Sequence, residues 1–315
     1  MRYLSLLLSA LIVPALASPA PAHPDGKKPL PLVIWHGLGD TYDSEGMVYL
    51  AEIAERANPG TFVYPIRLSS DPNTDRQLSY FGRVDSQIHD VCEQLSSIPE
   101  LSQGFNALGF SQGGQFLRGY IERCNFPPVH TLVTYGSQHN GVSEFVAACR
   151  ATDWLCKSAA GLLQRGAFQR FVQTRLVPAQ YYRDPERLEE YLEESAFLAD
   201  INNERPDIRE SGGNDEYKWR LSELKRFVMV MFEEDELVVP KESAWFQEVI
   251  DGNVTKLEDR PMIKEDWIGL KKLVDEGRIS YELAKGGHME LDEEDLEGMF
   301  KKYFGSGSEL GSEEV

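Results

Sequence analysis

The feature that most constrains the fold is the pentapeptide GFSQG at residues 109–113. A short apolar run precedes it and a helical pattern of residues follows it. Gly-x-Ser-x-Gly in this setting is typical of a nucleophile elbow, a tight strand-to-helix turn whose neighbours must be small because the backbone folds back on itself. The pentapeptide alone could arise by chance in a glycine-containing turn, but the flanking patterns favour catalysis. We therefore predict that Ser111 is a nucleophile.

Two backbone groups are candidate donors to a negative charge that develops beside Ser111. The helix that begins behind the serine directs free N–H groups at this point, and Gln112 supplies the first of them. The apolar run 31–35 predicts a buried strand that ends in a glycine-rich turn, where Leu38 is placed to supply the second. His36 in this turn is interpreted as a structural residue rather than a base.

Strands and helices alternate up to Ser111, which predicts an α/β fold with a mostly parallel sheet covered by helices on both faces. Further strands are expected at 61–66, 130–136 and 226–232, and helices at 47–57, 84–95 and 294–303. From about 143 to 224 the alternation stops, and helical patterns without a good strand replace it. We expect a helical insert that lies over the carboxyl ends of the strands and shapes a substrate groove. The alternative is that most of its apolar residues pack the insert's own core.

A carboxylate and a histidine complete the chain order of a serine hydrolase. The predicted strand 226–232 is followed by four acids, residues 233–236, and the loop after a late strand is where a triad acid belongs. Four adjacent acids leave the choice open, and at least three are expected to be solvated. His288 lies in a glycine-rich loop before the last helix, and of six histidines it alone completes the order serine, acid, histidine.

Both termini are predicted to lie outside the catalytic domain, which we assign to residues 30–304. Residues 1–17 have the pattern of a secretory signal peptide, because a basic residue, a short apolar run and a small-x-small site follow one another. An uncleaved anchor is the alternative, although the run is shorter than the roughly 20 residues that span a bilayer. Residues 18–29 are interpreted as a leader and residues 305–315 as a disordered acidic tail.

The secretory route implies that the four cysteines are oxidised, and four cysteines allow three pairings. Sequence spacing suggests Cys149 with Cys156, which leaves Cys92 with Cys124. A cysteine nucleophile is disfavoured, since none lies in a glycine-rich turn with a base beside it. Asn253 begins the single Asn-x-Ser/Thr sequon and is a predicted glycosylation site.

The net charge of -19, from 51 acids and 32 bases, disfavours nucleic acid and anionic membrane surfaces as partners. Solubility alone is a sufficient reason for the acidic excess. No stretch after the predicted signal peptide is long and apolar enough to serve as a stable membrane anchor.

Several long motifs, in order along the chain, resemble those of the palmitoyl-protein thioesterases. The resemblance runs from about residue 32 to 304 and rests on WHGLGD at 35–40, GFSQGGQFLR at 109–118, GSQHNGV at 136–142 and FLADIN at 197–202. It implies an α/β-hydrolase fold with a helical insert that holds a fatty acyl chain. The sequence departs from the family at YYRDP, residues 181–185, where the family has Tyr-Trp-x-Asp-Pro.

The same resemblance implies particular roles for residues. The nucleophile falls on Ser111, the histidine on His288 and the oxyanion donors on Leu38 and Gln112. The acid lies three residues past the phenylalanine that ends the late strand, which selects Asp235. Gln138 and Tyr182 are predicted substrate contacts, and the pairs Cys92–Cys124 and Cys149–Cys156 match family disulfides.

The resulting hypothesis is a serine thioesterase that removes palmitoyl groups from S-acylated cysteines of proteins or peptides through an acyl-enzyme, without metal or cofactor. It is expected in a lysosome, a vacuole or the medium. A triad cannot by itself distinguish thioesters from oxygen esters, so a secreted lipase or carboxylesterase is one alternative. A catalytically dead binding protein of the same fold is another.

Overall fold

The computed structural model describes residues 28–305, except 146–148, 150–151 and 212, and except the side chain of Gln164. The predicted signal peptide, most of the leader and all but the first residue of the acidic tail lie outside this part of the chain. Within it, no helix is long and apolar enough to cross a membrane.

Six parallel strands form the central sheet, in the order β10-β6-β4-β3-β1-β2. The ten strands of the described residues are β1 (Leu32–Trp35), β2 (Val63–Pro65), β3 (Phe105–Phe110), β4 (Val129–Tyr135), β5 (Glu144–Phe145), β6 (Arg226–Phe232), β7 (Val238–Val239), β8 (Glu248–Ile250), β9 (Asn253–Thr255) and β10 (Ile279–Ala284). The four strands predicted outside the elbow are confirmed as β1, β2, β4 and β6. Trp35 lies opposite Gly109, and Phe110 lies opposite Tyr135, so β1, β3 and β4 end at the same edge.

The helices of the described residues are α1 (Glu45–Ala57), α2 (Pro72–Tyr80), α3 (Val84–Ser96), α4 (Gln112–Arg123), α5 (Trp154–Gln164), α6 (Arg170–Gln173), α7 (Leu188–Glu194), α8 (Leu198–Ile201), α9 (Pro206–Glu210), α10 (Asp215–Ser222), α11 (Pro261–Lys264), α12 (Leu270–Asp275) and α13 (Glu293–Phe304). Five 3-10 turns occur at Pro99–Leu101, Val177–Tyr181, Pro185–Arg187, Lys241–Trp245 and Leu257–Asp259. The three predicted helices are confirmed as α1, α3 and α13.

Each face of the sheet has its own hydrophobic core, because successive strand side chains point to opposite faces. Val33 and Trp35 of β1 pack in one core, with α3, α4 and parts of the insert. Leu32 and Ile34 pack in the other, with α1 and α13. Because strand side chains alternate between the two faces, the positions of the strands in the sequence are enough to predict both cores.

The region between β4 and β6 is largely helical, as expected, but the expectation of no strand there is wrong in one detail. β5 pairs antiparallel with β7, which lies in the loop after β6. Two-residue strands have too few residues to show a period in sequence. This pairing joins the start of the insert to the loop that carries Asp235.

Helix α2 was not predicted from the sequence. Its buried residues are Asp75, Ser79 and Tyr80, so two of the three are polar and no apolar stripe marks the helix. Its N-terminus has a clear local reason, since the Asp71 side chain accepts a hydrogen bond from Thr74 N–H and proline occupies the first turn.

Both expected disulfides are present. Cys92 on α3 is joined to Cys124 at the end of α4, with Cα atoms 6.3 Å apart. Cys149 is joined to Cys156 on α5, with Cα atoms 5.5 Å apart. The first bridge ties the helix behind Ser111 to its neighbour.

Candidate active site

Ser111 occupies a strained turn between the last residue of β3 and the first residue of α4. Its φ is 52° and its ψ is -124°, a conformation that non-glycine residues rarely adopt. A Cβ on Gly109 would lie 2.3 Å from Gly114 Cα, and a Cβ on Gly114 would lie 2.0 Å from Ser137 Oγ. The small residues beside the serine are therefore required by the close packing of strand and helix.

Asp235 Oδ2 and His288 Nδ1 form a hydrogen bond of 2.7 Å. The other carboxylate oxygen accepts the N–H groups of Leu237 and Val238, each at 2.9 Å. Burial raises the pKa of Asp235, but the bond to His288 and the two N–H groups outweigh it, so the pKa is lowered. A carboxylate bonded to Nδ1 fixes the proton there and leaves Nε2 as the acceptor.

The four-acid loop contains one buried carboxylate. Asp235 is buried, whereas Glu233, Glu234 and Glu236 are exposed. The prediction that at least three of the four acids are solvated is therefore confirmed. Of these four acids, Asp235 is the one whose side chain forms a hydrogen bond with His288.

The end of β4 brings Ser111 and His288 together. Ser111 N–H donates to Tyr135 O at 2.8 Å, and a Cβ on the next residue, Gly136, would lie 3.0 Å from His288 Cε1. Among the hydrogen bonds of the described residues, none joins Ser111 Oγ to the imidazole. Catalytic hydrogen bonds are often long without substrate and tighten when it binds.

The predicted oxyanion donors belong to two segments next to the serine. Gln112 begins α4, so its N–H has no intrahelical acceptor. The turn after β1 contacts the serine, because a Cβ on Gly37 would lie 3.3 Å from Ser111 Cβ, and Leu38 follows it. In the described part of the chain, no backbone carbonyl accepts from Leu38 N–H. Neither N–H group is therefore engaged by a backbone carbonyl within the described residues.

His36 supports this turn from within, as the structural interpretation expected. Its Nδ1 lies 2.9 Å from Gly37 O and its Nε2 lies 3.2 Å from Asp75 Oδ2. Both partners only accept, so the doubly protonated ring satisfies both contacts. Burial lowers the pKa of His36, but the bonds to Asp75 and Gly37 outweigh it and raise the pKa overall.

Asp75 is the centre of this support and was missed in the sequence. Its Oδ1 accepts the N–H of Leu68 at 2.7 Å, and its Oδ2 accepts that of Tyr42 at 3.0 Å. Burial raises the pKa of Asp75, but His36 and these N–H groups outweigh it and lower the pKa. His36 and Asp75 are 39 residues apart in the sequence, and nothing in the local sequence of either marks their contact.

Tyr181 was also missed, although it begins a motif that the resemblance uses. Its hydroxyl donates to Gln112 Oε1 at 3.2 Å, and Gln112 Nε2 donates to Ser79 O at 3.1 Å. These contacts fix the side chain of Gln112, the residue after the serine and a predicted oxyanion donor. The predicted substrate contact Gln138 is buried, and its Oε1 has no hydrogen-bond partner among the described atoms.

Tyr182, the other predicted substrate contact, lies in an aromatic group of the insert. It is partly buried against the larger core, and its ring meets that of Phe168 edge-on at 5.5 Å. A cavity of about 600 Å³ lies elsewhere, between β10 and α13, and neither Ser111 nor His288 lines it. Among the described residues, no cluster of histidine, cysteine or acidic side chains could hold a metal ion.

The parallel sheet, the strained serine turn and the late acid and histidine define the class, which is the α/β-hydrolases. The sequence profile of a family described as palmitoyl protein thioesterase matches residues 31–288. The chain therefore belongs to the palmitoyl protein thioesterase family, and it is a thioester hydrolase.

Relatives of this family share most of the chain. It is 38% identical to palmitoyl-protein thioesterase 1 of Caenorhabditis elegans, over 96% of this chain and 100% of that protein. It is 31% identical to palmitoyl-protein thioesterase 3 of Dictyostelium discoideum, over 87% and 89% of the two chains. It is 27% identical to human lysosomal thioesterase PPT2, over 87% and 85%.

Proposed function

We propose that Ser111, His288 and Asp235 form a catalytic triad that hydrolyses long-chain acyl thioesters, with S-palmitoylated proteins or peptides as substrates. The observation that carries the proposal is the bond of 2.7 Å between Asp235 Oδ2 and His288 Nδ1 at the strand edge where Ser111 turns. The family membership and the names of the relatives support the acyl thioester as substrate.

The reaction proceeds through two acyl transfers. Ser111 Oγ forms a bond to the thioester carbonyl carbon while His288 Nε2 takes the hydroxyl proton. The N–H groups of Leu38 and Gln112 bind the oxyanion, and each such donor is typically worth about 3 kcal/mol. The carbon–sulfur bond then breaks, and the sulfur takes the proton from His288. Water then attacks the acyl-serine carbonyl carbon while His288 Nε2 takes its proton. The ester carbon–oxygen bond breaks, Ser111 Oγ takes the proton from His288, and the fatty acid leaves.

Asp235 acts through the imidazole. It holds the proton on Nδ1, so that Nε2 faces the serine as a base, and it stabilises the imidazolium that forms. The bond to His288 and the two backbone donors keep it ionised for this role, because together they outweigh the effect of burial.

We assign the acyl groove to the insert, with Tyr182 and Gln138 as contacts. The insert is attached next to the site, since Val142 bridges to Tyr182 and β5 pairs with β7. The lysosomal names of relatives and the predicted signal peptide support a lysosomal, vacuolar or extracellular location.

The test combines intermediate trapping with substrate comparison. Brief incubation with a palmitoyl thioester should leave a palmitoyl group on the peptide that contains Ser111, and mass spectrometry detects it. In Ser111→Ala this group should be absent, and turnover should fall by a factor of roughly 10⁶. Residual activity of more than a few per cent in Ser111→Ala would exclude the triad. A preference for the matching oxygen ester would favour a lipase or carboxylesterase instead.

A further inference from the structure

The charge of the chain is unevenly distributed, and one segment of the insert reverses it. Four bases and no acid occur between residues 154 and 180, although the whole chain has a net charge of -19. The bases are Lys157, Arg165, Arg170 and Arg175. They lie on α5, on α6 and in the turns next to these helices, which we call the α5–α6 hairpin (residues 154–175).

The outer face of α5 is exposed and carries an aromatic residue beside a cation. Trp154, Lys157, Ser158 and Gly161 are all exposed, and their spacing places them on one helical face. Trp154 is 65% exposed. The opposite face is apolar and buried, so the indole is not needed for packing.

Helix α6 repeats this arrangement. Phe171 is 55% exposed, and the guanidinium of Arg175 lies 4.8 Å from its ring centre. Arg165 and Arg170 are exposed as well. Among the described residues, no carboxylate is within ion-pair distance of these three arginines.

The two helices share one inner core, and we treat their outer faces as one surface. Leu155 and Ala159 of α5 pack in the same cluster as Val172 of α6. Leu38, in the turn after β1, packs against this cluster too. The α5–α6 hairpin therefore borders the catalytic site.

A side-chain clamp reinforces this position. Arg76 of α2 donates to Asp153 Oδ2 at 2.5 Å, just before α5, and to Gly39 O at 2.8 Å, just after Leu38. One arginine thus connects the N-cap residue of α5 to the turn after β1.

We propose that the outer face of the α5–α6 hairpin docks reversibly on anionic lipid bilayers. Tryptophan and phenylalanine favour the boundary between headgroups and acyl chains, and arginine and lysine bind lipid phosphates. The acidic excess elsewhere does not prevent this, because charges more than about 8 Å away are screened at physiological ionic strength. The inference rests on the proposed function in one respect. The acyl chain of a palmitoylated protein lies in a bilayer, and docking would hold Ser111 next to that bilayer.

The test is flotation of the full-length protein with vesicles of phosphatidylcholine alone and of phosphatidylcholine mixed with phosphatidylserine. Binding should occur to the mixed vesicles, weaken with salt and be much lower on phosphatidylcholine. Trp154→Ala/Phe171→Ala and Arg165→Glu/Arg170→Glu should each lower the partition coefficient at least about tenfold.

Matched controls come from the rest of the surface. Trp219 is 61% exposed on α10, and Lys256 and Lys264 are exposed, so Trp219→Ala and Lys256→Glu/Lys264→Glu should bind as the unmodified protein does. Unchanged turnover of a water-soluble butyryl thioester identifies folded variants.

Three results would overturn the docking surface: no binding to mixed vesicles, undiminished binding of both hairpin variants, or an equal loss in the controls. The first would leave a protein as the occupant of this face. Ser111→Ala should float as well as the unmodified protein, so an error in the catalytic assignment would appear as active Ser111→Ala and would leave vesicle binding unchanged.

Discussion

At the scale of single residues, burial and backbone donors separate Asp235 from three chemically similar neighbours. The sequence shows four acids in a row, and only the resemblance to a family selects one of them. The structure adds the physical reason: a carboxylate that accepts two N–H groups and a histidine is held ionised and fixed in place.

Asp235→Asn should therefore lower kcat by about 10⁴, because an amide stabilises the wrong tautomer of His288. Glu234→Gln is the matched control and should be near neutral, since Glu234 is exposed one residue away. Steady-state kinetics with a palmitoyl thioester measure both. A large loss in Glu234→Gln and a small one in Asp235→Asn would show that Asp235 is not the triad acid.

The pair His36 and Asp75 makes stability depend on pH. The pKa of His36 is raised, so its contribution is complete below about pH 6.5, the pKa of an unfolded histidine, and is lost as the pH rises through the folded value. The pKa of Asp75 is lowered, so its contribution is present above about pH 4 and is lost as the pH falls through the folded value. The pair stabilises most between these limits.

Asp75→Asn should lower the free energy of unfolding by about 3–5 kcal/mol near pH 5, because it leaves His36 buried without its carboxylate. The difference from the unmodified protein should shrink towards pH 8 and towards pH 3. Denaturant unfolding at pH 3, 5 and 8 measures it. A difference that grows from pH 5 to pH 8 would contradict the protonated state of His36.

At the scale of elements, the insert is where we place the acyl groove. Tyr182 and Phe168 pack edge-on, and Tyr181 next to them holds Gln112. One short segment therefore contacts both the proposed groove and a proposed oxyanion donor.

Tyr182→Ala should lower kcat/KM for palmitoyl thioesters far more than for butyryl thioesters, because each methylene moved from water into an apolar groove is worth about 0.8 kcal/mol. Kinetics over a series of acyl chain lengths measure the effect. Equal losses for both chains, together with lower stability, would show that Tyr182 only packs the insert.

At the scale of the whole molecule, the elements that could be predicted from the sequence are those determined by residues close together in the chain. The serine turn, the strands of the sheet and helices α1, α3 and α13 are local patterns of apolar residues and glycine. Long-range polar contacts were not predictable. The contact between Tyr181 and Gln112 joins residues 69 apart, and helix α2 buries Asp75 rather than an apolar stripe.

The two disulfides offer a test of how the molecule is tied together. In the chain-entropy account, a cross-link stabilises more when it closes a longer loop in the unfolded chain. The separation is 32 residues for Cys92–Cys124 and 7 for Cys149–Cys156. Replacing both cysteines by alanine should therefore cost about 4 kcal/mol for the first bridge and about 2 kcal/mol for the second.

Location strengthens the same contrast. Cys92–Cys124 joins α3 to the end of α4, the helix that begins behind Ser111, whereas Cys149–Cys156 ties a segment of the insert to α5. Denaturant unfolding of the two double variants measures the costs, and turnover of a butyryl thioester reports the serine turn. If loss of the shorter loop were the more damaging, native contacts around α5, rather than the entropy of the unfolded chain, would dominate this bridge.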